Sequence, residues 1–492
     1  MEFKVNAVHR VGAIVLSAVA LWFGTGLHPL WWLLWIAPIP VLVVAARSTR
    51  LTAFTIAIVA WTIGALNAMR YYRIVELPWI VILEVVLGPA IVFACAVLLW
   101  RRLLLRGAFA FATIAFPTVW VSYEFILSLL SPHSTWGNLA YTQMDCLPIL
   151  QLASITGVWG ISFLVFLFAA TVAGATVAVL SSAGTGIISK RQLRSVAASV
   201  SALLLVIVAW GTWRLHSMPA SPQVTVGLIA SDIPQNLSPR TAAGQSALFD
   251  KYGSVASGLV SQGAQVIVDP EKTAMVPLAN IHEMDAPLEA ATDGKAIVVQ
   301  GVLGLTANTK LNQARIYAPN GTAPNGTLEA TYEKHHMLPA FEWDELPGTT
   351  RTLLHEPSGI WGVAICKDMD FPKLSRQYGN DGVGLQLVPA WDFVSDGWLH
   401  DRMAIMRGVE SGFSIARTAK QGLLTVSDDR GRVLAQRTTG SAPWATLLAT
   451  VPVHHDATLY ARWGNWFAVL CVAALIALLV LSFLKRSKPV GS

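Results

Sequence analysis

The sequence predicts a polytopic α-helical membrane domain joined to a globular α/β domain, on three observations. Of its 492 residues 54% are hydrophobic and only 13% are charged, with a mean hydropathy of +0.53, a composition foreign to soluble domains of this length. Apolar runs recur near residues 11–27, 29–46, 51–68, 78–99, 108–130, 152–182, 195–213 and 464–484, most of them close to the roughly 20 residues that carry a helix across hydrocarbon. Between the last two runs, from 218 to 460, the chain turns polar and fills with short β-branched segments, the texture of a folded α/β domain.

The first run has the length of a signal peptide but lacks a small-residue cleavage site, and six more runs follow closely, so it reads as a retained helix. Basic residues then set the orientation. Lys4 and Arg10 precede the first run, Arg47 and Arg50 the third, Arg101, Arg102 and Arg106 the fifth, and Lys190, Arg191 and Arg194 the seventh, while Lys485, Arg486 and Lys488 follow the last. The loop 131–150 holds no basic residue, and only Arg70 and Arg73 stand on its side. Lysine and arginine collect on the cytoplasmic face, which puts both termini there. The expected division is a seven-helix transmembrane domain (1–217), an extracytoplasmic domain (218–460), and a C-terminal helix with a basic tail (461–492). The net charge of +6 belongs mostly to these loops and is a record of topology, not of nucleic-acid binding.

Within the polar segment, strands are expected at 224–231, 265–269, 296–302, 313–318, 328–333, 360–366, 384–389, 414–418, 422–427 and 446–452, and helices at 245–261, 279–292 and 400–411. Many strands with few helices imply sheets packed together with helices outside, an αββα sandwich. Asn320-Gly321, Asn325-Gly326 and Asp429-Arg430-Gly431 read as turns.

Three residues there carry chemistry. Glu271 follows the run Val266 to Pro270, Lys334 follows the run Leu328 to Glu333, and Cys366 ends the apolar run Ile360 to Ile365. A thiol needs a base to take its proton and a cation to steady the anion formed on attack, and this trio supplies both. A cysteine after a buried strand is otherwise an ordinary small core residue. Cys95 and Cys471 fall within apolar runs and Cys146 in the loop 131–150, so no disulfide framework is visible, and an unpaired Cys366 in an oxidising compartment favours a wanted thiol.

Around the trio the sequence resembles the nitrilase superfamily: Pro270-Glu271; Tyr332 to Pro339 around Lys334; and Ile365-Cys366-Lys367-Asp368 followed by Phe371-Pro372. The whole length resembles the apolipoprotein N-acyltransferase family, through Trp136 to Gln143, Gln151 to Gly160, Asp232 to Asn236 and Thr458 to Gly464. That resemblance implies Cys366 as nucleophile, taking a fatty-acyl chain from a phospholipid as a thioester, Glu271 as general base and Lys334 as oxyanion stabiliser. Glu342 stands where the family places a supporting carboxylate, and Asp368 is a second supporting residue. The acyl chain passes to the N-terminal amino group of a lipid-modified cysteine in a lipoprotein, in a ping-pong scheme at the outer face of a bacterial inner membrane. Ester to amide requires neither nucleotide nor metal, so no cofactor is implied.

Departures are visible too. Lys367 stands where the acyltransferases carry an aromatic, and the sequence favours a solvated side chain there. Asp368 replaces their usual glutamate and is common among nitrilase amidases, and Val388 to Phe393 departs from the usual pattern. Lys272 follows Glu271 but adjacent side chains diverge. Met337, Leu338, Phe341 and Trp343 read equally as a lid dipping into lipid and as ordinary core or loop. Glu124, inside an apolar run, is expected to link the membrane helices to the catalytic domain, whereas Glu84 reads as a carboxylate at the membrane edge. His335-His336 and His454-His455 lack partners at metal-ligand spacing. Two other functions stay open: a membrane-tethered amidase with water as acceptor, and a non-catalytic homologue acting as scaffold.

Overall fold

The computed structural model describes residues 5–180, 188–233, 241–281, 294–318 and 327–483. Among these the chain separates into two units, one of residues 1–130, 137–213 and 465–492, the other of residues 131–136 and 214–464. The expected helix 279–292, the turns at Asn320 and Asn325, Pro234 to Asn236, and the terminal lysines lie wholly or largely outside the described residues.

The first unit is helical. Among the described residues, six helices are long and apolar enough to cross a bilayer: Ala7–Gly24, Arg50–Ile74, Trp79–Leu105, Phe109–Leu130, Val158–Leu180 and Lys190–His216. The second apolar run instead breaks into Leu33–Ile36 and Ile39–Ala46, because Pro38 and Pro40 each lack the N–H an unbroken helix would use. The run near the C-terminus forms Trp466–Phe483. Aromatic rings fill the centre, with Trp61 4.5 Å from Trp120 and Phe116 5.1 Å from Phe166. Buried polar groups there are tied to backbone: Gln143 donates to the Trp31 carbonyl at 3.0 Å and accepts from Trp35 Nε1 at 2.7 Å. Glu124 is buried and accepts from the Leu139 N–H at 2.8 Å, inside this same unit, while Glu84 lies on an exposed face of its helix.

The second unit is an αββα sandwich. Its strands are β1 (Gln223–Ala230), β2 (Val266–Val268), β3 (Met275–Pro277), β4 (Ile297–Leu305), β5 (Lys310–Ala318), β6 (Thr327–Glu333), β7 (Thr352–Glu356), β8 (Gly359–Val363), β9 (Val383–Trp391), β10 (Ser414–Lys420), β11 (Leu423–Ser427), β12 (Val433–Thr438) and β13 (Ala445–Pro452). One sheet runs β13-β1-β2-β4-β5-β6, with β3 beside β4; the other runs β12-β11-β10-β9-β8-β7. Period-2 alternation drives the packing: Val224, Val226 and Leu228 of one sheet meet Val363, Leu385 and Leu387 of the other in a shared core. On the outer faces, Ile229 and Ile267 pack on the helix Ala242–Ser261, and Val383 and Ile415 share a second cluster with Leu374 and Ala404 of the helices Pro372–Asn380 and Gly397–Ser411.

Strands β3, β7 and β12 and the helix Pro372–Asn380 have weak sequence signals. Met275–Pro277 is three residues long, and Val433–Thr438 is mostly exposed, so neither shows an inside-outside pattern. What the topology does for function is alignment. β2, β4 and β6 run parallel to one another in the first sheet, and β8, β9 and β10 in the second. Glu271, Lys334, Cys366 and Lys420 all stand at, or just past, the carboxyl end of one of these strands, the edge where α/β sheets place their sites.

Candidate active site

Pro270 cannot continue the ladder of β2, and the chain turns there. The turn is pinned: the Thr273 N–H donates to the Gly301 carbonyl at 2.8 Å and its hydroxyl to the Pro270 carbonyl at 2.9 Å. Gly301 is required by that approach, since a Cβ there would lie 2.3 Å from the Pro270 oxygen. Glu271, 2% exposed, accepts through Oε1 from Lys334 Nζ at 2.8 Å and Asn312 Nδ2 at 2.7 Å. Lys334 Nζ also reaches both oxygens of Glu342 at 2.9 Å. Glu342 in turn accepts from Lys272 Nζ at 2.6 Å and from the Leu338 N–H at 2.6 Å, and Lys272 also meets Glu345 at 2.7 Å. Burial acts to push the Glu271 carboxyl up, but the charges of Lys334 and Lys272 and the bonds from Lys334 and Asn312 outweigh it and hold it well below the usual range. Burial likewise opposes the Lys334 charge, and Glu271, Cys366 and Glu342 overcome it, so the ammonium stays protonated.

Cys366 is reached differently. β8 ends at Val363, and Cys366 opens a 3-10 turn, Cys366–Asp370, with φ +43. Only a well-supported site keeps a β-carbon residue in that left-handed region. The support is Asp368, fully buried. One carboxylate oxygen accepts from the Ile365 N–H at 3.1 Å and the Tyr332 hydroxyl at 2.7 Å; the other accepts from the backbone N–H groups of His335 and His336, at 3.2 and 2.9 Å. A single carboxylate therefore ties the turn after β6, which carries Lys334, to the turn after β8, which carries the thiol. The thiol itself has one long contact, to the Trp391 carbonyl at 3.6 Å. Burial first, and then the Glu271 charge, push it well above the ordinary thiol range, with Lys334 pulling the other way. At neutral pH the resting pair is thus carboxylate and neutral thiol, the protonation states a base and its nucleophile need before attack.

Residues 17–171 match the apolipoprotein N-acyltransferase N-terminal domain, and residues 233–462 match the carbon-nitrogen hydrolase domain. An apolipoprotein N-acyltransferase of Geobacter metallireducens is 27% identical over 94% of this chain and 92% of its own length; one of Bradyrhizobium diazoefficiens is 26% identical over 80% and 76%. Among solved structures, a carbon-nitrogen hydrolase of Helicobacter pylori aligns with 49% of this chain and 94% of its own at 12% identity and a TM-score of 0.40. The chain belongs to the apolipoprotein N-acyltransferase family.

The structure brings Glu271, Lys334 and Glu342 into one bonded network, while Asp368 holds the Cys366 turn through separate bonds to Ile365, Tyr332, His335 and His336. It corrects the reading of Lys367. That side chain is buried, not solvated, donating to His133 Nδ1 at 3.0 Å and pairing with Asp370 at 3.3 Å; the Thr135 hydroxyl adds a bond to the Asp370 carbonyl at 2.8 Å. The ammonium is held between Asp370, three residues on, and His133, far away in sequence. Lys272 is equally part of the network, because its φ of +49 turns it back toward Glu342. His335 bonds the Thr350 carbonyl at 3.1 Å, and His336 bonds Asp368 at 2.8 Å while stacking on Phe371 at 3.6 Å. Of the four apolar residues read as lid or core, Phe341 and Trp343 are exposed, Trp343 by 82%, and Met337 and Leu338 are half-buried.

Sequence reasoning missed Asn312, Lys420 and the buried Asp392-Arg417 pair, bonded at 2.5 and 3.0 Å. A signal existed for two of them. Asn312 shares a strand face with Ala314 and Ile316, and Lys420 shares one with Ala416, all three of which point into the core; a polar residue on an inward face marks a site or a network.

Proposed function

We propose that this protein moves a fatty-acyl chain from a phospholipid, through a thioester on Cys366, to the N-terminal amino group of a diacylglyceryl-cysteine lipoprotein. The observation that carries the reading is the Glu271, Lys334 and Glu342 network at the carboxyl ends of β2 and β6, joined through Asp368 to a thiol in a strained turn. Glu271 accepts the Sγ proton as sulfur attacks the ester carbonyl; the C=O electron pair moves onto oxygen, where the Lys334 ammonium offsets the new charge. Collapse of that adduct breaks the ester C–O bond, and the departing lysophospholipid oxygen takes the proton back from Glu271. The amine then attacks the thioester, Glu271 takes one of its protons, and the thiolate leaves and is reprotonated, leaving an amide and the starting enzyme. Every step conserves charge and needs no outside oxidant or nucleotide. Glu342 and Asn312 hold the Glu271 and Lys334 side chains without being consumed.

The basic residues of alternate loops support both termini in the cytoplasm and the unit carrying Cys366 on the outer face, where diacylated lipoproteins and phospholipid meet. The test is mass spectrometry. Incubated with phospholipid vesicles alone, the protein gains one fatty-acyl mass on the peptide containing Cys366, and a model diacylated lipopeptide then removes it and becomes N-acylated. Release as free fatty acid, with no lipopeptide product, would make the protein an amidase-type hydrolase instead.

A further inference from the structure

Lys420 is fully buried at the end of β10, a position the mechanism above does not use. Its Nζ donates to the Lys272 carbonyl at 2.9 Å and lies 3.6 Å from the centre of the Trp391 ring. Each contact touches one half of the site. Lys272 is the left-handed residue that follows Glu271, so its carbonyl belongs to the turn presenting the base. Trp391 is the residue whose carbonyl receives the Cys366 thiol, and its indole N–H is fixed in turn by Gln421 at 2.8 Å. The Gln421 N–H is held by Asp232 at 2.8 Å. A carbonyl acceptor on one side and an aromatic face on the other both prefer an ammonium to an amine.

We propose that Lys420, in its protonated form, is a positioning residue of the acyl-transfer site, fastening the Glu271 turn at the edge of one sheet to the Trp391 end of the other so that base and thiol keep their relation. The groups that set its charge are Glu271 and Asp232, which favour the ammonium, and Lys272, which opposes it; burial outweighs them and brings Lys420 down to about 7. The bridge is therefore made below neutrality and fades above it. The sign for stability is opposite to that for function. A lysine depressed in the folded state costs stability below that value, and the cost is relieved as pH rises toward the unfolded value.

The proposal rests on the acyl-transfer reading for its effect on turnover but not for its geometry, and the experiment separates the two. In detergent-purified full-length protein, Lys420→Met is compared with wild type at pH 6 and pH 9 by two readouts: acyl-enzyme formation from phospholipid, and peptide-resolved alkylation of Cys366 by iodoacetamide. At pH 6 the variant is slower by about tenfold or more in both, since the ammonium that ties the two turns is lost and small misplacements of reacting groups cost rate steeply. At pH 9, where wild-type Lys420 is itself neutral, the two proteins converge to within about threefold. Comparing variant with wild type at each pH cancels the titration of every other group. The Tm of the variant at pH 6 equals or exceeds that of wild type, and Lys420→Arg, which stays charged, keeps its rate relative to pH 6 better than wild type does at pH 9. A deficit of the same size at both pH values, or no deficit at pH 6, overturns the proposal. If wild type forms no acyl-enzyme at all, the acyl-transfer reading falls, and the alkylation rates still decide the role of Lys420.

Discussion

The two sheets of the α/β unit prepare their halves of the site in opposite ways. On the side of β2 and β6, charges answer one another: Glu271, Glu342 and Glu345 interleave with Lys334 and Lys272 through bonds of 2.6 to 2.9 Å. On the side of β8 and β9, the thiol sits in a left-handed turn with one contact at 3.6 Å and is pushed away from ionisation. The first half is a network of paired charges; the second is a buried thiol that is neutral at rest and would need a base before it could attack. The difference teaches that rigidity and reactivity are divided between the two sheets, with Asp368 and Lys420 as the ties.

The largest expected effects come from breaking the answered side. Glu271→Gln and Lys334→Met should each slow acyl-enzyme formation by about 10² to 10⁴, measured in single-turnover assays, while circular dichroism stays native. Either variant turning over at the wild-type rate would show the charges to be structural only. Next comes the tie. Asp368→Asn replaces an acceptor that receives five backbone and side-chain donors, one end of the new amide meets only donors, and unfolding should shift by about 1–3 kcal/mol, with turnover falling alongside. An unchanged Tm would mean that the turns after β6 and β8 are held by something else.

Smaller effects sharpen the same contrast. Lys367→Met leaves His133 and Asp370 without their shared donor and should slow Cys366 alkylation by less than about tenfold, because it acts on the backbone of the turn and not on the thiol. A larger loss would move Lys367 into the chemistry. Trp343→Ser should change the unfolding free energy least, by under about 0.5 kcal/mol, since the ring is 82% exposed. If Trp343 meets lipid, this variant should instead raise the vesicle concentration needed for half-maximal acylation, while a detergent-dispersed substrate reacts as before.

Much of this was legible in the chain. Runs of apolar residues announce helices because hydrocarbon leaves the backbone no other partners, and strands such as β1, β4, β9 and β10 are readable as short runs rich in apolar residues that are buried along most of their length. Glu271, Lys334 and Cys366 stand out because each comes just after a short strand-like run, at β2, β6 and β8. Lys367 was misread because the partner that takes it out of water, His133, lies 234 residues away. β12 escaped because it is an exposed strand with no alternation to detect.

By itself the sequence determined the membrane character, the α/β sandwich and the three chemical residues, all of which depend on local composition and on periods of two or 3.6 residues. Tertiary structure alone decided how their charges are set. A carboxylate held low, a thiol pushed high and a lysine brought to about 7 are properties of burial and of neighbours contributed by other strands. Parallel ordering of β2, β4 and β6 against β8, β9 and β10 is what brings those neighbours to a common edge. Desolvation and Coulomb energy depend on distance in space, and no spacing along a chain records that.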